Sequence, residues 1–183
     1  MLEALYNGAG TMRQAWDAFG PHWPAGVADH IKVELHSSTT YSTVVYTAND
    51  VPLSTAGTAI ISVPASFNSS YYITIRHRNS IETTTSSAIS FAGNTINQSF
   101  GTRANVYGGN LGVSHDGRYL IYGGDVDQDG FVGVSDMVNI DNQSVSFGSG
   151  YLSEDIDGDG FIGVSDMVIV DNNSVNFISS ITP

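Results

Sequence analysis

Short runs of alternating apolar and polar residues fill the first two thirds of the chain. Ile31-Lys32-Val33-Glu34-Leu35-His36 and Tyr71-Tyr72-Ile73-Thr74-Ile75-Arg76-His77 repeat with a period of two, which puts apolar side chains on one face of a strand and polar ones on the other. Weaker runs of the same kind cover 2–6, 42–47, 58–63, 88–91, 95–100 and 119–122, separated by clusters of Ser, Thr, Asn and Gly. These eight runs predict a mostly β fold, an antiparallel β-sandwich of immunoglobulin-like or transthyretin-like kind over residues 1–122. A helical turn is expected only around Met12 to Phe19.

After Tyr122-Gly123-Gly124 the period changes. Asp125-Val126-Asp127-Gln128-Asp129-Gly130-Phe131-Val132-Gly133-Val134-Ser135-Asp136 is followed, thirty residues on, by Asp155-Ile156-Asp157-Gly158-Asp159-Gly160-Phe161-Ile162-Gly163-Val164-Ser165-Asp166. Carboxylates at positions 1, 3, 5 and 12 with glycine at 6 are the spacing of a twelve-residue Ca²⁺ loop. Alternate side chains converge on one hard cation, the glycine permits the sharp turn, and position 12 returns on a following helix to close the shell. The expected ligands are Asp125, Asp127, Asp129, the Phe131 carbonyl and Asp136 for one ion, and Asp155, Asp157, Asp159, the Phe161 carbonyl and Asp166 for a second. Gly133 and Gly163 at position 9 have no coordinating side chain, so water is expected there. The alternative is a metal-free Asp/Gly-rich surface turn. Each loop leads into an apolar-periodic stretch predicted to be a helix of two or three turns, capped by Ser135 or Ser165 and ending at Asp141-Asn142 or Asp171-Asn172.

Charge divides the chain at the same place. Residues 1–120 carry six basic and seven acidic residues, net −1, whereas residues 121–183 carry eleven acidic residues and no basic one, net −11. Eight of those eleven carboxylates crowd into the two loops, where they repel one another unless cations lie among them. Two domains are therefore predicted, a β-sandwich over 1–122 and a duplicated calcium-binding domain over 123–183. No basic stripe is available for nucleic acid. Cysteine is absent, which removes disulfides and thiol catalysis. No run is long and apolar enough for a membrane span, and Met1-Leu2-Glu3-Ala4 lacks the character of a signal peptide, so the chain is expected to be a C-terminal piece of a larger protein.

A loop-then-helix duplication without entering helices resembles the dockerin type I repeats, over about residues 123–178. The resemblance implies two half EF-hands packed about a pseudo-twofold axis, with Val134-Ser135 and Val164-Ser165 at the loop positions that help dockerins recognise a cohesin. The whole chain resembles C-terminal modules of large secreted or surface proteins of Bacteroidota-type bacteria. Leu2 to Gly8 with Met12, Val27 to Leu35, Tyr71 to Glu82 and Ile121 to Asp125 carry that likeness. It implies a β-sandwich joined to dockerin-like repeats, located outside the cell or on its surface.

The remaining chemistry is sparse. Arg76-His77-Arg78-Asn79 is the one basic cluster. On an alternating strand the arginines share a face, available to a carboxylate or acidic sugar, or else pair with Glu34, Glu82 or the acidic C-terminal half and dock the two domains. Trp16, Trp23, Tyr41, Tyr46, Tyr71 and Tyr72 suit either a sugar-stacking platform or the core and rim of the fold. His22, His30, His36, His77 and His115 lack zinc spacing. No nucleophile motif or paired-carboxylate signature stands outside the loops, although a triad from distant residues such as His77, Asp116 and a serine is recognised only by geometry. The expectation is a non-enzymatic extracellular calcium-binding module that positions a larger protein, with a polysaccharide-binding or cell-surface-protein-binding module as alternatives.

Overall fold

Period-two alternation carries the main sheet. A computed structural model describes residues 1–183. After two small ribbons, β1 (Tyr6–Gly8) with β2 (Thr11–Met12) and β3 (Trp16–Asp17) with β4 (Gly20–Pro21), come the long strands β5 (Val27–Ser37), β6 (Val44–Ser54) and β7 (Ser70–His77), then β8 (Ser80–Thr84) and β9 (Ile89–Ser90). These five form one antiparallel sheet in the order β6-β5-β7-β8, with β9 pairing the start of β7. A last ribbon joins β10 (Gly112–Val113) to β11 (Tyr119–Leu120), and two helices follow, α1 (Val134–Val145) and α2 (Val164–Ser174). The protein is thus mainly β, with antiparallel sheets and only two helices.

One face of the sheet is apolar. Ile31, Val33 and Leu35 of β5, Val51 and Leu53 of β6 and Ile73 of β7 pack against Leu2, Leu5, Met12, Val106, Leu111 and Ile121, which come from ribbons and extended segments. The other face is polar and satisfies itself. Arg76 lies between Glu34, at 2.8 Å, and Glu82, while the Tyr41 hydroxyl reaches Thr74 at 2.9 Å and Thr84 at 2.7 Å. A Tyr and two Thr on one pleated face explain why β8, a run rich in Thr and poor in apolar residues, pairs as a strand.

Several expectations differ from this arrangement. Residues 58–63 and 95–100 alternate but form no strand. Met12 to Phe19 contains ribbon strands in place of a helical turn. The N-caps are Gly133 and Gly163, two residues earlier than the serines, because Asp136 and Asp166 occupy the third helical position and their carboxylates accept the cap N–H at 2.8 and 2.9 Å. The helices also run past Asp141-Asn142 and Asp171-Asn172 to Val145 and Ser174.

The second core is built from repeated positions. Val126 and Ile156, Val132 and Ile162, and Ile140 and Val170 are buried in pairs thirty residues apart, and Ala4 and Ile81 of the β half complete the cluster. Burial of each such side chain contributes about 1.5–3 kcal/mol. Because Ala4 and Ile81 belong to it, the C-terminal core closes only against the β half.

Candidate metal centre

Each loop is closed by its own position-12 aspartate. Asp136 is buried at the first turn of α1, and its Oδ1 accepts the N–H groups of Val126 at 2.6 Å and Asp127 at 3.2 Å. Asp166 repeats the pattern on α2, accepting from Ile156 at 2.7 Å and Asp157 at 3.1 Å. One carboxylate therefore caps the helix and pins the start of the loop. Within the loops, Asp127 Oδ1 accepts the Asp129 N–H, Asp129 Oδ1 accepts the Phe131 N–H, and Asp157 and Asp159 do the same one repeat later. Gly130 and Gly160 sit at φ 89° and 86°, in the left-handed region that the turn at position 6 requires.

The repeats interlock at their position-7 residues. Phe131 bridges Ser179, with Val132 donating to the Ile178 carbonyl and Ser180 to the Gly130 carbonyl. Phe161 bridges Ser149, with Ile162 donating to the Gly148 carbonyl and Gly150 to the Gly160 carbonyl. In such a bridge the neighbours' polar groups face the partner strand, so the carbonyls of Phe131 and Phe161 turn to the side away from it. The aromatic rings themselves are exposed.

Carboxylate oxygens of Asp125, Asp127 and Asp136 lie within 4.8 Å of one another, as do those of Asp155, Asp157 and Asp159. Asp129 and Asp166 fall outside these tightest groups, although each is held in its loop by the hydrogen bonds above. Asp125 is 2% exposed and its Oδ1 has no hydrogen-bond partner, an acceptor buried without a donor. Burial and then the charge of Asp136, with Asp129 and Asp127 beyond it, push the Asp125 carboxyl up to about 7. Burial likewise pushes Asp155 up to about 7, against the opposing pull of Arg78. Burial also raises Asp136, Asp157 and Asp166. All-oxygen donors, crowded anions and a partnerless buried oxygen fit a hard divalent cation.

A second polar cluster, centred on Asp29, fastens this region to the β half through Arg78, in line with the docking reading of the arginine cluster. Asp29 is buried and accepts five donors: Trp23 Nε1 at 3.2 Å, the His30 N–H at 2.7 Å, the Tyr151 hydroxyl at 2.5 Å, His77 Nε2 at 3.0 Å and Arg78 Nε at 3.2 Å. Burial alone would raise its pKa, but the hydrogen bond and charge of His77, the charge of Arg78 and the Tyr151 hydroxyl hold it well below the usual carboxylate range. Burial and the Asp29 charge push the Tyr151 phenol up in turn. Arg78 also donates to the carbonyls of Leu152 and Asp155 and lies 4.5 Å over the Tyr151 ring. Arg76 and Arg78 thus serve different clusters, because the register of β7 against β8 shifts between Ile75 and His77.

Ser80 Oγ lies 3.1 Å from His77 Nδ1, so Ser80, His77 and Asp29 form a hydrogen-bonded chain with the composition of a hydrolase triad. Ser80 is 1% exposed, which leaves a substrate carbonyl no approach to its hydroxyl in this conformation. Asp116 bonds Tyr6 and Ser114 instead. The aromatics are spread over separate places. Trp23 stacks on His30 at 3.6 Å, Tyr41 on His36 at 4.3 Å, and Tyr46 and Tyr71 both flank Phe67, while Tyr72 lies edge-on to Tyr41 and Trp16 stands half-exposed on β3.

No protein-family model matches the chain, and none of the curated proteins or solved structures compared with it does either.

Proposed function

We propose that residues 123–183 bind two Ca²⁺ ions, one per loop, and that the ions hold this acidic half folded against an antiparallel β half as a non-enzymatic module of an extracellular or cell-surface protein. The observation that carries the reading is the duplicated loop whose carboxylate oxygens converge within 4.8 Å. In this reading residues 1–122 are a sandwich-type unit, with ribbons as the second layer, and residues 123–183 a dockerin-like pair of half EF-hands. When bound, the ions supply counter-charge to the clustered carboxylates. The chain's own residues do the rest: Asp136 and Asp166 tie each loop to its helix, and the Phe131 and Phe161 carbonyls turn away from their bridge partners. If each site binds at about 10 µM and surrounding calcium is about 1 mM, each ion adds roughly 2.7 kcal/mol by mass action. Two such increments are a large part of a small domain's stability. The test is metal analysis and calcium titration of the purified chain: two ions per chain in millimolar Ca²⁺ supports the reading, and fewer than two defeats it.

One observation favours a second role. Val134 and Val164 are 75% and 76% exposed at equivalent positions, and Val138, Val168 and a shallow groove at Met137 and Met167 lie along the same helices. A duplicated apolar face suits recognition of another protein, which a pull-down against cohesin-type domains would detect.

A further inference from the structure

The two loops satisfy the carbonyl of their first aspartate differently. In the first loop, the Asp125 carbonyl accepts a 2.5 Å hydrogen bond from Nε2 of Gln128, a residue of the same loop. The second loop has Gly158 at that position, and nothing larger fits: a Cβ there would lie 2.5 Å from Leu5 Cδ2 and 3.3 Å from Ala15 Cα. The Asp155 carbonyl is served from the β half instead. Arg78 Nη1 donates to it at 2.7 Å and Asn79 Nδ2 at 3.1 Å, and Asn79 Nδ2 also reaches the Ser153 carbonyl at 3.2 Å. Trp16 donates its N–H to the Gly158 carbonyl at 3.0 Å, and a Cβ on Gly160 would lie 2.5 Å from the Asp17 carbonyl oxygen. Gly158 and Gly160 are accordingly buried, whereas Asp127 and Gln128 in the first loop are exposed.

We propose that Arg78 and Asn79, in the turn between β7 and β8, are positioning residues for the second calcium loop, which attains its binding shape only when docked on the β half, whereas the first loop carries its own donor for that carbonyl in Gln128, which touches the β half only through a 3.4 Å contact to the Ser80 carbonyl. This rests on the calcium reading above. Groups that orient a ligand-bearing backbone commonly control affinity by about 10–100-fold when removed. Linkage makes the effect reciprocal: an ion in the second loop tightens the grip of the β7–β8 turn on residues 152–155, and an ion in the first loop leaves that grip unchanged. The bond from the Gly124 N–H to the Asn79 carbonyl, 2.7 Å, is backbone and survives any side-chain change at Asn79.

The experiment is calcium titration calorimetry on the full chain in two backgrounds, Asp129→Ala, which leaves the second loop intact, and Asp159→Ala, which leaves the first. Adding Asn79→Ala is expected to weaken the second loop by roughly ten-fold and the first by less than about two-fold. Gln128→Gly is the mirror test. It removes the first loop's internal donor while relieving a φ of 59°, and is expected to weaken the first loop alone. Amide exchange at residues 155–159 should speed up in Asn79→Ala even with calcium present. A general structural role for Asn79 would instead weaken both loops equally, and equal weakening, or none, overturns the proposal. Should Asn79→Ala not fold, Asn79→Asp makes the same test, because it sets a carboxylate against two carbonyls at unchanged size. Absence of any calcium binding by the wild-type chain would sink the calcium reading and this proposal together, an outcome distinct from two intact sites that Asn79→Ala leaves unmoved.

Discussion

Replacing Asp29 by Asn should separate the two halves of the molecule. The carboxylate accepts five donors, among them Arg78 from β7–β8 and Tyr151 from the C-terminal half, whose contact spans 122 residues. An amide of the same shape keeps one acceptor but turns its NH₂ towards groups that also donate, and it leaves Arg78 without its anion. Breaking one partner of a buried pair costs about 3–5 kcal/mol, and the low end applies because Arg78 retains the Leu152 and Asp155 carbonyls. Urea unfolding in saturating Ca²⁺, followed by far-UV circular dichroism and by Trp23 fluorescence, should show that loss and a split into two transitions. The acid limb adds a signed test. Asp29 is depressed in the folded protein, so its contribution is present above the unfolded carboxylate value of about 3.9 and fades as pH falls through and below it. Asp29→Asn should therefore flatten the stability curve in that range. A loss smaller than about 1 kcal/mol with an unchanged acid limb would show that the node is not a fastening.

Chelation should raise amide exchange throughout residues 123–183 and spare β5 and β7; equal exchange with and without chelator would show the ions are not structural. In chelator, the raised carboxyls of Asp125 and Asp155, at about 7, make the calcium-free half more stable while they hold protons, and that stability is lost as pH rises from the ordinary carboxylate range through about 7. With calcium bound the trend should reverse, which melting curves at about pH 5 and about pH 8 would check. Gly160→Ala meets the Asp17 carbonyl at 2.5 Å, whereas the nearest atom to a Cβ on Gly130 is Ser180 Oγ at 3.5 Å. Gly160→Ala should therefore destabilise by about 1–3 kcal/mol more than Gly130→Ala in urea titrations. Ile140→Ala, at a fully buried site, should cost about 2–5 kcal/mol by the same assay.

The loop pattern was legible because its spacing is local: every carboxylate lies within twelve positions, and the glycine at position 6 answers to a backbone angle. The strands β5 and β7 were legible for a similar reason, since period two is written along one segment. What escaped depends on partners far away in sequence. Residues 58–63 alternate but find no neighbouring strand, whereas Ser80 to Thr84, with one apolar side chain, is held by Tyr41 and by its pairing with β7. Asp29 has no chemical signal of its own in the Ala-Asp-His run, and its donors come from residues 23, 30, 77, 78 and 151. The helices start earlier than the serine caps because the carboxylate at position 12 itself accepts the cap N–H, which places the N-cap at the glycine three residues before it.

The seam between the halves also orders events during synthesis. Asn173 Nδ2 donates to the Glu3 carboxylate across 170 residues, and Arg78 reaches the Asp155 carbonyl across 77. A ribosome delivers residues 1–122 long before those partners exist, so the β half emerges with Asp29 lacking Tyr151 and with Ala4 and Ile81 uncovered by their core. Contacts of such separation form late and slowly. Closure of the seam is therefore a late step, and a metal-dependent C-terminal segment of the kind proposed would make that step wait for the ion as well.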